Sequence, residues 1–307
     1  MPRKSPGPKL DINRVNTHIL PEFGYLAPAT LDELLNTLRR VGGEAKILAG
    51  GTDLLVRMKQ GVLRPKYLVS LRRVKELRGI EDRGDCVVIK AATRLRDIER
   101  SEVIRQYFTA LHEAVEWMGS VQIRNMATIG GNLCNASPAA DTAPPLLVFD
   151  ASVRILSAGG ERVVPLKDFF RGPGRTVLRE DEVLAEILVP KPTAPTGSAF
   201  IKVARVAMDL AKVSVAVALR MDGGVVSDVR VALGSVAPTP IRAYRTEEFL
   251  KGRELSEEVL EKAAEIVRGE VKPITDVRST AEYRRFVSGV ILKDALRKAR
   301  DRLLGGG

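Results

Sequence analysis

The chain is poor in the residues that build disulfide frameworks or cysteine-ligated metal centres. It has two cysteines, Cys86 and Cys134, and no C-x-x-C spacing. Free thiols in a reducing compartment, the cytoplasm, are therefore expected, with Cys134 as a small apolar filler. Histidine is as scarce. His18 and His112 share no ligand spacing, and His112-Glu113 begins a zinc-protease signature that fails at Glu116, where a second histidine is needed. No metal site is expected, and the sequence offers no catalytic acid or base with clear spacing. Aromatics are 5% of residues, with one Trp, which argues against a surface that stacks nucleic-acid bases. No uncharged apolar run of about 18 residues occurs. Residues 1–15 lack the apolar core of a signal peptide and read as a short flexible leader. The two commonest phosphate signatures, G-x-G-x-x-G and G-x-x-x-x-G-K-[ST], are also missing.

What remains is ample core-forming material. With 307 residues, 45% of them apolar, the chain exceeds one domain of about 100–200 residues. Its net charge of +11 suits an anionic ligand, an acidic protein partner or nucleic acid, and does not choose among them.

Hydrophobic periodicity and turn residues divide the chain into three mixed units. Over residues 16–75, Thr30 caps a helix with Asp32 and Glu33 in its first turn, Gly42-Gly43 ends it, and strands follow at residues 45–49 and 67–71. Over residues 76–190, a strand at 86–91, a helical stretch from Ile98 to Met118 and a hairpin turning at Gly159-Gly160 are predicted. Pro190, Pro192 and Pro195 mark a boundary. Residues 191–307 then carry a hairpin around Gly223-Gly224 and two helices, at Ser256–Arg268 and Ala281–Leu304. The basic residues of the last helix read as a solvated face, with a nucleic-acid helix as the alternative.

Two glycine pairs stand out against this background: Ala49-Gly50-Gly51-Thr52-Asp53, and Thr128-Ile129-Gly130-Gly131-Asn132 with Asn135, Ser137, Asp141 and Thr142 beyond. Paired glycines free φ and remove side chains, so backbone N–H groups can point at a close oxyanion. Each pair alone is an ordinary turn. Together they could hold a diphosphate from both sides, Gly50, Gly51, Gly130 and Gly131 through backbone donors and Thr52 and Thr128 through hydroxyls, at roughly 1.5–3 kcal/mol per charge-assisted bond. Asp141 would repel phosphate. It suits a ribityl or ribose hydroxyl, or else an Asx-turn before Pro144-Pro145.

These segments, with Met58-Lys59, Ser137-Pro138, Arg230-Val231-Ala232-Leu233-Gly234, Pro238-Thr239-Pro240-Ile241-Arg242 and Asp276-Val277-Arg278-Ser279, resemble the flavin subunit of the molybdenum hydroxylases. That family includes xanthine dehydrogenase, aldehyde oxidoreductases and aerobic carbon monoxide dehydrogenase. The resemblance implies an α+β chain: a two-subdomain FAD-binding domain of the vanillyl-alcohol oxidase type, then a smaller α+β C-terminal domain. It also implies the cofactor contacts. Ile47, Leu48, Ala49, Gly50, Gly51, Thr52, Asp53 and Leu54 match the first pyrophosphate loop, with Leu54 near the flavin ring. Thr128, Ile129, Gly130, Gly131 and Asn132 match the second, followed by Ser137. Met118 and Leu184 match apolar positions on the cofactor, Asp141 the ribityl or ribose acceptor, and Lys202 a lysine beside the flavin. A cation there favours the negative charge that the ring gains on reduction.

The implied function is an oxidoreductase flavin subunit that binds FAD non-covalently and passes electrons from a partner [2Fe–2S] subunit to an external acceptor. The molybdenum cofactor and iron–sulfur clusters would lie on partner subunits, since two cysteines cannot ligate a four-cysteine cluster. A dimer of heterotrimers, of flavin, molybdenum-binding large and [2Fe–2S] small subunits, is expected, with no nucleic acid and no membrane span. A stand-alone FAD-dependent oxidase or reductase of the same fold is the alternative.

Overall fold

The computed structural model describes residues 20–305, so the leader expected over residues 1–15 lies outside the described residues. The first unit runs β1 (Gly24–Leu26), α1 (Leu31–Val41), β2 (Ala45–Leu48), α2 (Leu54–Lys59) and β3 (Tyr67–Ser70). The strands form a parallel sheet in the order β1-β3-β2. α1 starts where Thr30 Oγ1 accepts from Glu33 N at 3.2 Å and Glu33 Oε2 accepts from Ala29 N at 2.7 Å. It ends at Gly42, whose φ is +49°. Leu34 and Leu38 are the buried side of α1, packed in a small core with Val69.

The second unit comprises β4 (Ile80–Asp82), β5 (Cys86–Lys90), six short helices, namely α3 (Leu95–Glu99), α4 (Glu102–Tyr107), α5 (Thr109–Glu116), α6 (Val121–Met126), α7 (Ile129–Cys134) and α8 (Ala143–Val148), and then β6 (Ser152–Ser157), β7 (Gly160–Pro165), β8 (Phe170–Gly172), β9 (Arg175–Thr176) and β10 (Val183–Pro190). Five strands make an antiparallel sheet, β4-β5-β10-β6-β7, with a register break in β10 between Leu184 and Glu186. The helix expected from Ile98 to Met118 is three helices instead. The chain leaves helical geometry at Ser101 (ψ 117°) and at Phe108 (φ −133°, ψ 53°), where the fully buried Phe108 packs edge-on against Phe149. Burying that ring overrides helix propensity.

The third unit is β11 (Gly197–Val203), β12 (Val213–Asp222), β13 (Val225–Gly234), β14 (Ile241–Arg242), α9 (Tyr244–Leu250), α10 (Glu257–Glu270) and α11 (Ala281–Leu303), with the strands antiparallel in that order. Both faces of this sheet are covered. Val213, Val215, Val217 and Leu219 join the core built with α10 and α11, while the alternate residues Ala216 and Ala218, with Phe200 and Ala232, join the core of the second unit. Small side chains on that face let α8 approach closely. Gly197 likewise lies tight against the Ala299 carbonyl of α11.

Most basic residues of α11 are partly exposed, as a solvated face requires, and most are also paired. Lys298 and Arg302 reach Glu113 of α5 at 2.7 and 2.5 Å, Arg297 reaches Glu257 at 2.6 Å, and the buried Arg284 reaches Asp276 at 2.6 Å and donates to Ser235 O at 2.9 Å. Burial alone would raise the Glu113 carboxyl, but Arg302 and Lys298 outweigh it and hold it below its usual range. Glu113 also accepts from Phe200 N at 2.8 Å. The second residue of the false zinc signature thus ties two units together.

Candidate functional site

The first glycine bend leaves the edge strand β2 and leads into α2. Gly51 has φ +75°, a geometry that glycine adopts without strain. Gly50 abuts α6, where a Cβ would collide with the Met126 carbonyl oxygen. The carbonyls of Gly51 and Asp53 accept from Leu55 N and Arg57 N as α2 begins. The N–H groups of Ala49, Gly50, Gly51, Thr52 and Asp53, however, donate to no other described residue. All but Asp53 belong to partly buried residues. Such a run of unpaired donors calls for an acceptor from outside the chain.

The second pair is built differently. Thr128 is an N-cap whose Oγ1 accepts from Gly131 N at 3.1 Å, and both glycines lie in the first turn of α7. Ile129 N donates to Thr93 O at 3.1 Å and Gly130 N to Ala91 O at 2.8 Å. A Cβ on Gly130 would lie 2.6 Å from the Ala91 Cβ. The expectation that Gly130 and Gly131 present free backbone donors is therefore corrected: those donors are engaged within the chain, and neither residue has a positive φ. These glycines permit close approach to the end of β5.

The two bends lie side by side. Asn135 Nδ2 donates to Asp53 Oδ1 at 3.2 Å, and a Cβ on Gly131 would lie 3.9 Å from the Ala49 Cβ. From the second bend, Asn132 extends the arrangement: its Oδ1 accepts from Thr142 Oγ1 at 2.7 Å, and its Nδ2 lies 4.0 Å from Met118 Sδ. Ser137 Oγ accepts from Ala139 N at 3.1 Å. Ile47 packs on the core of the first unit, and Leu54 heads α2, partly exposed. Leu184 is buried in β10, the strand against which α7 packs. Cys134 packs on the core of the second unit, and burial pushes its thiol up to about 12, consistent with a filler.

Next to Thr142 stands an ion pair that sequence reading treated as two separate contacts. Lys202 Nζ lies 2.9 Å from Asp141 Oδ2 and donates to Trp117 O at 3.1 Å, with side chains 2% and 4% exposed for Lys202 and Asp141. Asp141 Oδ1 is buried with no hydrogen-bond partner. The Asx-turn alternative is not what forms: the side chain bonds Lys202. Burial raises the Asp141 carboxyl to about 6, against the opposing pull of Lys202. An unsatisfied buried carboxylate oxygen costs about 1–3 kcal/mol or more, which a donated ligand hydroxyl would recover. Sequence reading also missed Arg124. It is buried, pairs with Glu99 at 2.7 Å and donates to Met118 O and Gly119 O, both at 3.1 Å. Its one signal in the sequence was a lone cation between two apolar segments.

Free amide donors at one end and an unpartnered buried carboxylate oxygen at the other fit a cofactor that carries both phosphates and hydroxyls. As a class, this is a dinucleotide-type cofactor binder with an added α+β domain. Residues 21–192 match the family model for the FAD binding domain in molybdopterin dehydrogenase, and residues 198–299 that for the CO dehydrogenase flavoprotein C-terminal domain. The carbon monoxide dehydrogenase medium chain of Hydrogenophaga pseudoflava is 36% identical over 92% of this chain and 98% of its own length. The xanthine dehydrogenase FAD-binding subunit of Escherichia coli O157:H7 is 36% identical over 90% of this chain and 95% of its own. A solved carbon monoxide dehydrogenase from H. pseudoflava, lacking the Mo-pyranopterin moiety, superposes with a TM-score of 0.90 at 37% identity, over 92% of this chain and 99% of that one. The chain belongs to the family of FAD-binding subunits of molybdenum hydroxylases. It is an oxidoreductase flavin subunit whose cofactor is FAD, and its fold is an α+β FAD-binding domain followed by a C-terminal domain. No described helix is long and apolar enough to cross a membrane.

Proposed function

We propose that this chain is the flavin relay of a heteromeric molybdenum hydroxylase, taking electrons from a partner [2Fe–2S] subunit and delivering them through FAD to an external acceptor. Bound FAD supplies the step between one-electron donors and a two-electron acceptor. The chain's own residues bind and orient it. The N–H groups of residues 49–53 receive the diphosphate, with the Thr52 and Thr128 hydroxyls beside them. Asp141 Oδ1 accepts from a ribityl or ribose hydroxyl. Met118, Leu184 and Leu54 supply apolar contact, and Lys202, braced by Asp141 and Trp117 O, sets a positive charge where the ring gains negative charge.

The observation that carries this reading is the five-donor run beside a glycine-tight second bend. The relatives named as a medium chain and as an FAD-binding subunit support the subunit role. We extend it to a molybdenum-binding large subunit, a [2Fe–2S] small subunit and a dimer of heterotrimers in the cytoplasm, where the free thiols of Cys86 and Cys134 would persist. We divide the FAD-binding domain into subdomains at residues 16–75 and 76–190, ahead of a domain at 191–307. Purification from the native source should give a flavin spectrum, molybdenum, iron and two further chains. Flavin-dependent turnover of an organic substrate by this chain alone, without either metal, would contradict the relay.

A further inference from the structure

Three successive carbonyls, those of Trp117, Met118 and Gly119, are held by two cations with buried side chains. Lys202 takes the first, and Arg124 Nη1 takes the second and third. The chain reverses at Gly119, with φ +54°. The Arg124 guanidinium is itself fixed by Glu99, through Nε to Oε2 at 2.7 Å and Nη2 to Oε1 at 3.2 Å, and Glu99 is steadied by Arg96 at 2.5 Å. Arg124 belongs to α6, whose last residue, Met126, lies against Gly50 of the first bend. One side chain thereby links the donor run to the Lys202–Asp141 pair.

Stability alone is a poor reason for such a network. Burying an arginine and a glutamate carries a desolvation penalty that their attraction barely offsets, and apolar residues of similar volume do as well or better. What an arginine adds is a planar fork that fixes several acceptors in one geometry. Here the acceptors are the two carbonyls that directly follow Trp117, the residue that braces Lys202. We propose that Arg124, oriented by Glu99, is a positioning residue for the flavin: it fixes the Trp117–Gly119 turn and, through it, the place of the Lys202 ammonium relative to Asp141 and the cofactor ring. With the turn loosened, Lys202 loses its bond to Trp117 O and settles on Asp141 alone. The ammonium would then leave its place between Trp117 O and Asp141 Oδ2, which would weaken its field at a bound flavin. The inference rests on the FAD reading.

The test uses the purified full chain and its variants Arg124→Gln, Arg124→Lys, Glu99→Gln and Lys202→Met. Melting temperature without cofactor, FAD dissociation constant and flavin midpoint potential are measured for each. Arg124→Gln should weaken FAD binding about tenfold, the equivalent of one charge-assisted hydrogen bond, and lower the potential. Arg124→Lys should rescue neither, because an ammonium cannot span Glu99 and two carbonyls at once. Glu99→Gln should shift both in the same direction by less, and it decides the matter if Arg124→Gln does not fold. Combining Arg124→Gln with Lys202→Met should leave the potential where Lys202→Met alone puts it, since both act through one charge. Unchanged affinity and potential in Arg124→Gln, full rescue by lysine, or additive shifts in the double variant would overturn the inference. A wild-type chain that takes up no FAD would overturn the underlying reading as well, and that result is visible before any variant is made.

Discussion

The two glycine bends look alike in sequence and solve opposite problems. The first, at residues 49–53, leaves its backbone donors unpaired and uses a left-handed glycine, Gly51, to present them. The second, at residues 128–132, engages its donors with Ala91, Thr93 and Thr128, and uses glycine to let a helix start press against a strand end. One bend leaves its donors free and the other closes on the chain itself. A glycine pair therefore reports only that a side chain is unwelcome. Whether the reason is φ or proximity depends on partners far away in the chain.

This difference yields predictions, the largest first. Gly130→Ala places a methyl group against Ala91 and should lower the unfolding free energy of the cofactor-free chain by about 1–3 kcal/mol in a denaturant titration. Gly51→Ala should instead weaken FAD retention more than it lowers stability, its strain of about 1–2 kcal/mol lying in the bend that faces the ligand. Equal loss of stability in both would erase the distinction.

A pH series separates the bends further. The Asp141 carboxyl stands at about 6. A raised carboxyl stabilises the cofactor-free fold below about pH 4, its ordinary range, and that contribution is lost as pH rises through about 6. A ligand hydroxyl donated to Oδ1 favours the ionised form. FAD affinity should therefore be constant above about pH 7 and fall by up to about tenfold per pH unit well below 6. Asp141→Asn should flatten that slope, and equilibrium dialysis at several pH values checks it. Thr128→Val removes the cap of the closed bend and should cost about 1 kcal/mol of stability. Asn135→Ala, which cuts the exposed tie to Asp53, should cost about 0.5 kcal/mol and leave FAD binding within a factor of about two to three.

Much of this was legible in the chain. The capping Thr30, the Gly42 stop, the prolines near residue 190 and the Gly223-Gly224 turn between β12 and β13 carry local physics, and the elements form where those signals stand. The approach of the bends to each other and the pairing of Lys202 with Asp141 were not legible as geometry, because sequence spacing says nothing of which loops a sheet brings together. The break at Phe108 within the expected 98–118 helix was equally hidden, since it follows from burial of that ring rather than from a breaker residue. The pairing of the basic face of α11 was hidden for the same reason: its partners Glu113 and Glu257 lie on other elements.

Amide hydrogen exchange with and without FAD tests the central claim most directly. The account predicts that Gly50, Gly51, Thr52 and Asp53 exchange quickly in the cofactor-free chain and become protected when FAD is added, while Ile129, Gly130 and Gly131 are protected from the outset and change little. Protection gained at residues 129–131 with none at residues 50–53 would contradict it.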